Sequence, residues 1–151
     1  MRVSAKADYA IRAMVELAAA GGGPLKAERI SQAQEIPTKF LENIMTDLRN
    51  AGLVRSQRGI DGGYWLARPA QEIDLAAVIR AVDGPLANVR GHRPEAVSYS
   101  GSAEPLRDVW IAVRASLRRV LEEVTLADVA SGRLPASVKA LTSDEEAWQP
   151  H

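Results

Sequence analysis

Gln57-Arg58-Gly59-Ile60-Asp61-Gly62-Gly63-Tyr64-Trp65-Leu66 sets three glycines beside an arginine, a composition suited to wrapping a phosphate. A phosphate-cradling loop also needs a Lys-Ser/Thr pair after its glycines and a helix whose N-terminus faces the anion. Here the glycines run into Tyr64-Trp65-Leu66, which reads as a strand, so the cradle chemistry fails. What remains is a tight connection in which Gly59, Gly62 and Gly63 supply unusual backbone angles. Elsewhere the chain offers little for catalysis. It has two histidines, His92 and the terminal His151, no cysteine, and no serine in a nucleophile setting, so no enzyme is expected. The lack of cysteine also removes disulfides, thiolate nucleophiles and thiolate-held metal or cluster sites.

A different chemistry fits Thr38, Lys39, Glu42, Asn43 and Thr46. These are donors and acceptors short enough to meet base edges in a major groove, where Asn43 pairs with adenine and Glu42 accepts from cytosine. Phosphate repels Glu42, so any DNA contact it makes selects a base. Arg58 sits at the tip of the glycine connection, placed for a minor groove, and Arg55 and Arg68 are placed for nearby phosphates. For an isolated helix a solvated polar face would be the simpler reading, and Arg55 alone would be an ordinary surface charge. The adjoining hairpin favours DNA.

The elements that carry these residues follow from apolar spacing. Ser4 caps a first helix with Ile11, Met14, Val15 and Ala18 on one face, ended by three glycines and Pro24. Lys26 to Gln34 forms a short second helix with Leu25, Ile30 and Ala33 inward. Glu35-Ile36 makes a tight link, and Pro37 suits the first turn of a third helix carrying Phe40, Leu41, Ile44, Met45 and Leu48 inward. Gly52 stops it. Two extended runs, Leu53 to Ser56 and Tyr64 to Ala67, flank the glycine connection. Asp74 caps a fourth helix with Leu75, Val78, Ile79 and Val82 as its core face. The Gly-, Pro- and Ser-rich segment 85–105 reads as a loop. From there Leu106, Trp110, Val113, Leu117, Val120 and Val124 alternate steps of four and three, a heptad seam on a long helix over 106–130. The tail 131–151 is expected to be poorly ordered.

Two helices joined by a short turn and followed by a glycine-tipped hairpin make a winged helix-turn-helix over 1–84. The fold class is therefore mainly α with a small β-hairpin wing and a long C-terminal dimerisation helix. A twofold dimer through the seam presents two recognition helices to palindromic half-sites; packing of the seam on its own winged domain is the competing role. The 151 residues are 46% hydrophobic, enough for one domain with a real core, and 19 basic residues balance 19 acidic ones. Positive surface must therefore come from local clustering. The opening residues are interrupted by Lys6, Asp8, Arg12 and Glu16, so neither a secretory signal nor a spanning helix is expected, and the compartment is the cytoplasm.

With these residues in place the chain resembles the Rrf-two family of bacterial transcription regulators, typified by iron–sulfur cluster and nitric-oxide responsive repressors. The resemblance runs from Met1 to about Ala130 in SAKADYAIRAM, IPTKFLENIMTDLRNAGLVRSQRGIDGGYWLARP, IDLAAVIRAVDG and VTLADV. It implies a dimeric winged-helix regulator with recognition positions at Lys39, Glu42 and Asn43 and a minor-groove arginine at Arg58. Sensing members carry three cysteines in the loop before the dimer helix. Here that loop, PLANVRGHRPEAVSYSGSAEP, has none, so the resemblance implies no iron–sulfur cluster for this chain. His92 reads as an exposed loop histidine and Asp8 as a helix-surface acid, and no metal or cofactor is assigned. A pocket for an organic effector with Tyr99, Trp110 and the two halves of the dimer as walls, constitutive repression, and a protein partner all remain open. The main expectation is a repressor that binds double-stranded DNA. A winged protein-interaction module without specific DNA binding is the alternative.

Overall fold

Ser4 has the extended backbone of a helix cap, and its Oγ accepts the Ala7 N–H at 2.9 Å, which starts helix α1 (Ala5–Ala19). The same hydroxyl donates to the Asp83 carboxylate, tying the chain start to a later helix. The computed structural model describes residues 1–151. In it α1 buries Ala7, Ala10, Ala13, Met14 and Leu17, whereas the expected Ile11, Val15 and Ala18 are half-buried beside that face. The physical reason is size. Alanines on α1 let neighbouring helices approach closely, so small side chains occupy the crossings and the branched ones flank them.

Helix α2 (Ala27–Gln34) buries only Ile30, and Ala33, expected inward, is exposed. Glu35 takes a left-handed conformation (φ 53°), and the Ile36 N–H reaches back to the Ser31 carbonyl at 3.0 Å, which turns the chain sharply. Pro37 is the cap residue of α3 (Thr38–Asn50), one position earlier than expected. Leu41, Ile44, Met45 and Leu48 fill the inward arc of α3. Phe40 does not join them: it is 59% exposed at the edge of the arc, its ring 6.3 Å from that of Tyr9.

Strands β1 (Val54–Gln57) and β2 (Gly63–Leu66) pair antiparallel, with Arg55 opposite Trp65 and Gln57 opposite Gly63. Each boundary is one residue off the expected runs. Leu25 adds a further rung, donating to the Tyr64 carbonyl at 2.9 Å and accepting the Tyr64 N–H at 2.8 Å. The hairpin is thereby fastened to the α1–α2 link. The Asp74 carboxylate accepts the Ala77 N–H at 2.8 Å and caps α4 (Leu75–Asp83). This helix buries Ala76 and Val78, while Leu75, Ile79 and Val82 are half-buried. Segment 85–105 holds two single 3-10 turns, Pro94–Ala96 and Gly101–Ala103, and buries Pro94 and Val97.

The expected long helix is broken. Helix α5 spans Leu106–Leu121, and a separate α6 covers Leu126–Ser131. Between them Thr125 forms a capping box: its hydroxyl accepts the Asp128 N–H at 3.1 Å, and the Asp128 carboxylate accepts the Thr125 N–H at 2.9 Å. The Leu75 N–H donates to the Val124 carbonyl and the Leu126 N–H to the Ile73 carbonyl, stitching this joint to the start of α4. Val124 is therefore 4% exposed inside its own chain and is not free to join a seam with a second copy. Leu126 enters the same core cluster as Met14, Ile44 and Ile73, so the winged body is closed by a residue beyond position 84. The tail, expected to be poorly ordered, contains α7 (Ala136–Thr142) and a 3-10 turn at Glu145–Trp148. The Trp148 indole N–H donates to the Thr142 carbonyl at 2.7 Å.

Candidate nucleic-acid interface

With one side of α3 filled by aliphatic residues, helical period forces the polar ones onto the other. Thr38, Lys39, Glu42, Asn43 and Thr46 are all exposed there. Thr46 is tied to its own helix, donating to the Glu42 carbonyl at 3.0 Å. Asp47 lies at the border of the face, where Lys6 of α1 pairs with it at 2.6 Å. Ser31 donates to the Ile36 carbonyl and lies 3.4 Å from the Thr38 hydroxyl, linking α2 to the first turn of α3.

The hairpin tip is a turn from Gly59 to Gly62, closed by the Gly62 N–H on the Gly59 carbonyl at 3.1 Å. Ile60 is at the apex and 95% exposed. Arg58, expected at the tip, is exposed one residue before the turn. Two glycines are required here. A Cβ on Gly62 would run into the Gln57 carbonyl, and one on Gly63 (φ +146°) would lie 2.6 Å from the Leu25 carbonyl oxygen. Lys26 holds the tip from outside by donating to the Gly59 carbonyl.

The end of α3 and the root of the hairpin meet on one side of the molecule. Arg49 Nη1 donates to the Ser56 hydroxyl at 3.3 Å. Arg49, Arg55 and Arg68 gather round Trp65 along an open depression of about 580 Å³ that no acidic side chain lines. A chain of zero net charge thus concentrates positive charge beside its polar helix face. Arg49 was not singled out from the sequence. The available signal was its place in the last turn of the third helix, directly before the strand that carries Arg55.

Helix α5 has no buried residue. Trp110, Val113, Leu117 and Val120 are half-buried, and Leu106 and Val109 are 37% and 48% exposed. Val109 extends the stripe, and a strict alternation of fours and threes passes over it. The Trp110 indole N–H donates to the Tyr99 hydroxyl at 2.9 Å, which ties α5 to the segment before it.

A recognition helix set by a short turn, then a glycine-tipped hairpin, defines a winged helix-turn-helix regulator. The chain belongs to the Rrf2 family, whose model, described as an iron-dependent transcriptional regulator, matches residues 3–132. A Mycobacterium tuberculosis (strain H37Rv) protein named as an HTH-type transcriptional regulator is 55% identical over 150 residues, covering 99% of this chain and 93% of that protein. The HTH-type transcriptional regulator CymR of Bacillus subtilis is 37% identical over 133 residues, 87% of this chain and 91% of CymR. The solved structure of that protein, described as the global cysteine regulator, superposes with a TM-score of 0.73 at 35% identity, covering 87% of this chain and 97% of the other. IscR of T. potens superposes at 0.67 and 32% identity over all of this chain and 93% of its own. The protein is accordingly a helix-turn-helix transcriptional regulator, and no helix is long and apolar enough to cross a membrane.

The iron in the family's description does not fit the residues present. No cysteine exists, and no three His, Cys, Asp or Glu side chains cluster as ligands. His92 is exposed, and Asp8 pairs with Arg12 at 3.0 Å. Glu95 accepts from Arg114, and its own backbone N–H and that guanidinium hold its carboxyl below the usual carboxylate range. Where a cluster would need soft donors, the segment after α4 instead adjoins arginines.

Proposed function

We propose that two copies of this chain read a palindromic duplex site in the cytoplasm and act there as a repressor. Helix α3 lies in the major groove, where Asn43 and Glu42 meet base edges while Thr38 and Lys39 contact the backbone. The hairpin enters the adjoining minor groove with Arg58. The observation that carries this reading is the depression shared by Arg49, Arg55 and Arg68, which sets phosphate-seeking charge between recognition helix and wing. A protein-binding role for the same face would draw on Glu42 and Asp47, but Lys6 already engages Asp47. The twofold contact runs along α5 through Leu106, Val109, Trp110, Val113, Leu117 and Val120. Support comes from an amphipathic helix of 16 residues that its own chain leaves without one buried side chain.

The test is selection from a random duplex library by purified wild type and by Arg58→Ala in parallel. Wild type should recover a palindrome, and Arg58→Ala should bind it more weakly with less preference for A·T pairs under the wing. Recovery of no enriched sequence by either protein refutes specific DNA reading. Equal affinity and base preference remove the role of Arg58.

A further inference from the structure

A second cluster of arginines lies away from the recognition helix. Arg80 near the end of α4, Arg93 in the connecting segment, and Arg114 and Arg118 one turn apart on α5 line a cavity of about 470 Å³. The Gly84-Pro85-Leu86 corner completes its wall, and Leu86 is its one hydrophobic residue. Four guanidiniums in one cavity repel unless negative charge stands among them. Two glutamates supply part of it. The Glu122 carboxylate accepts from Arg80 at 2.6 Å and from Arg118 at 3.0 Å, and Glu95 accepts from Arg114. The Arg93 carbonyl accepts the Ala96 N–H at 2.9 Å, but its guanidinium makes no hydrogen bond or ion pair and acts on Glu95 only through its charge. Four positive groups against two negative ones leave two positive charges unmatched. Each guanidinium also has five N–H donors in a rigid fork, far more than these three bonds use.

The geometry points to a binding site for a small, multiply charged anion bearing phosphate or carboxylate groups. Arginine forks match the planar oxygen pairs of both, and the volume falls within the range of about 300–1,000 Å³ usual for small-molecule sites. Four of the seven lining residues are arginines and only Leu86 is a hydrophobic side chain, which favours an anion over a hydrophobic effector. An anion held here would join α4, the segment before α5 and α5 itself, fastening the seam helix to the winged body. The site stands on this geometry alone; its use for controlling DNA binding rests on the function proposed above.

Isothermal titration of the full chain with sodium pyrophosphate, and separately with sodium citrate, at ionic strength held constant with sodium chloride, tests the site. Saturable binding of one anion per chain is expected for at least one probe. Pyrophosphate alone would assign phosphate-bearing ligands, citrate alone polycarboxylates, and either outcome sustains the site. Arg93→Gln breaks no side-chain hydrogen bond or ion pair of the fold and should weaken binding about ten- to hundredfold, as loss of charge-assisted hydrogen bonds implies. Arg118→Gln should weaken it as well, and Arg133→Gln, exposed between α6 and α7, should leave it unchanged. Absence of saturable binding for both probes overturns the proposal, as does Arg93→Gln binding as tightly as wild type. The titration contains no DNA, so failure of the operator reading leaves its result standing.

Discussion

Gly63→Ala probes how the wing is held. Gly63 has φ +146°, and an added Cβ would sit 2.6 Å from the Leu25 carbonyl oxygen and 3.2 Å from the Leu25 nitrogen. Leu25 cannot stay where it is, so the two bonds between Leu25 and Tyr64, at 2.8 and 2.9 Å, must lengthen or break. Each contributes about 1 kcal/mol net, and holding a non-glycine residue in that backbone region costs about 1–2 kcal/mol. The wing should therefore loosen by about 3 kcal/mol, which is roughly a hundredfold in its opening equilibrium. Hydrogen exchange of the Leu25 and Tyr64 amides reads this directly: both should exchange about a hundredfold faster than in wild type. The buried amides of α3, such as Ile44, lie outside the rung and should change less. If both hairpin amides exchange within about twofold of wild type, the wing is not fastened through Leu25 and the reasoning fails.

Asn43→Ala should cost about 1–3 kcal/mol at a single operator position and little elsewhere, measured by competition with singly substituted duplexes; a uniform loss would show that Asn43 reads no base. Trp110→Ala combined with Leu117→Ala should give monomers in sedimentation, and a dimer that persists would remove α5 as the seam. Arg80, then Arg118, hold the Glu122 carboxyl below its usual range. The folded chain thus binds fewer protons there than the unfolded one, so this contribution is present above the ordinary carboxylate pKa and fades as pH falls toward the lower folded value. Glu122→Gln should flatten the acid limb of stability against pH, and identical limbs in variant and wild type would contradict it.

The elements that residue spacing exposes best are those with a local cause. The Ser4 and Asp74 caps and the glycine turn were readable because each rests on side chains or backbone angles within a few residues. Faces were harder. Phe40 is apolar, yet four aliphatic side chains already fill the inward arc of α3, so residue type misplaced it. On α1 the crossing partners select alanines, a choice only the neighbouring helices explain. Val124 keeps the heptad phase, but Thr125 and Asp128 offer a capping box that ends one helix and starts another; that signal was present in TLAD and outweighs the period. The arginine depression at the wing root was half visible, since Arg55 and Arg68 flank the hairpin, whereas Arg49 joins them only once the chain folds. The cavity lined by Arg80, Arg93, Arg114 and Arg118 draws on three segments far apart in sequence and has no local signature.

In the proposed twofold pair, the joint between α5 and α6 would make α5 a lever. Its Leu121 end is pinned, because the Val124 carbonyl and the Leu126 N–H are bonded to the start of α4 and Leu126 is rooted in the core. Its Leu106 end is held by side chains alone, Trp110 to Tyr99 and Arg114 to Glu95, from a segment with only short 3-10 turns. A helix of 16 residues is about 24 Å long, so a tilt of about 5° at the pinned end sweeps the other through about 2 Å. In a twofold pair built on α5, such a tilt changes the distance between the two recognition helices while each winged body stays rigid. Half-site spacing would then be tuned at the pivot, far from any residue that touches a base.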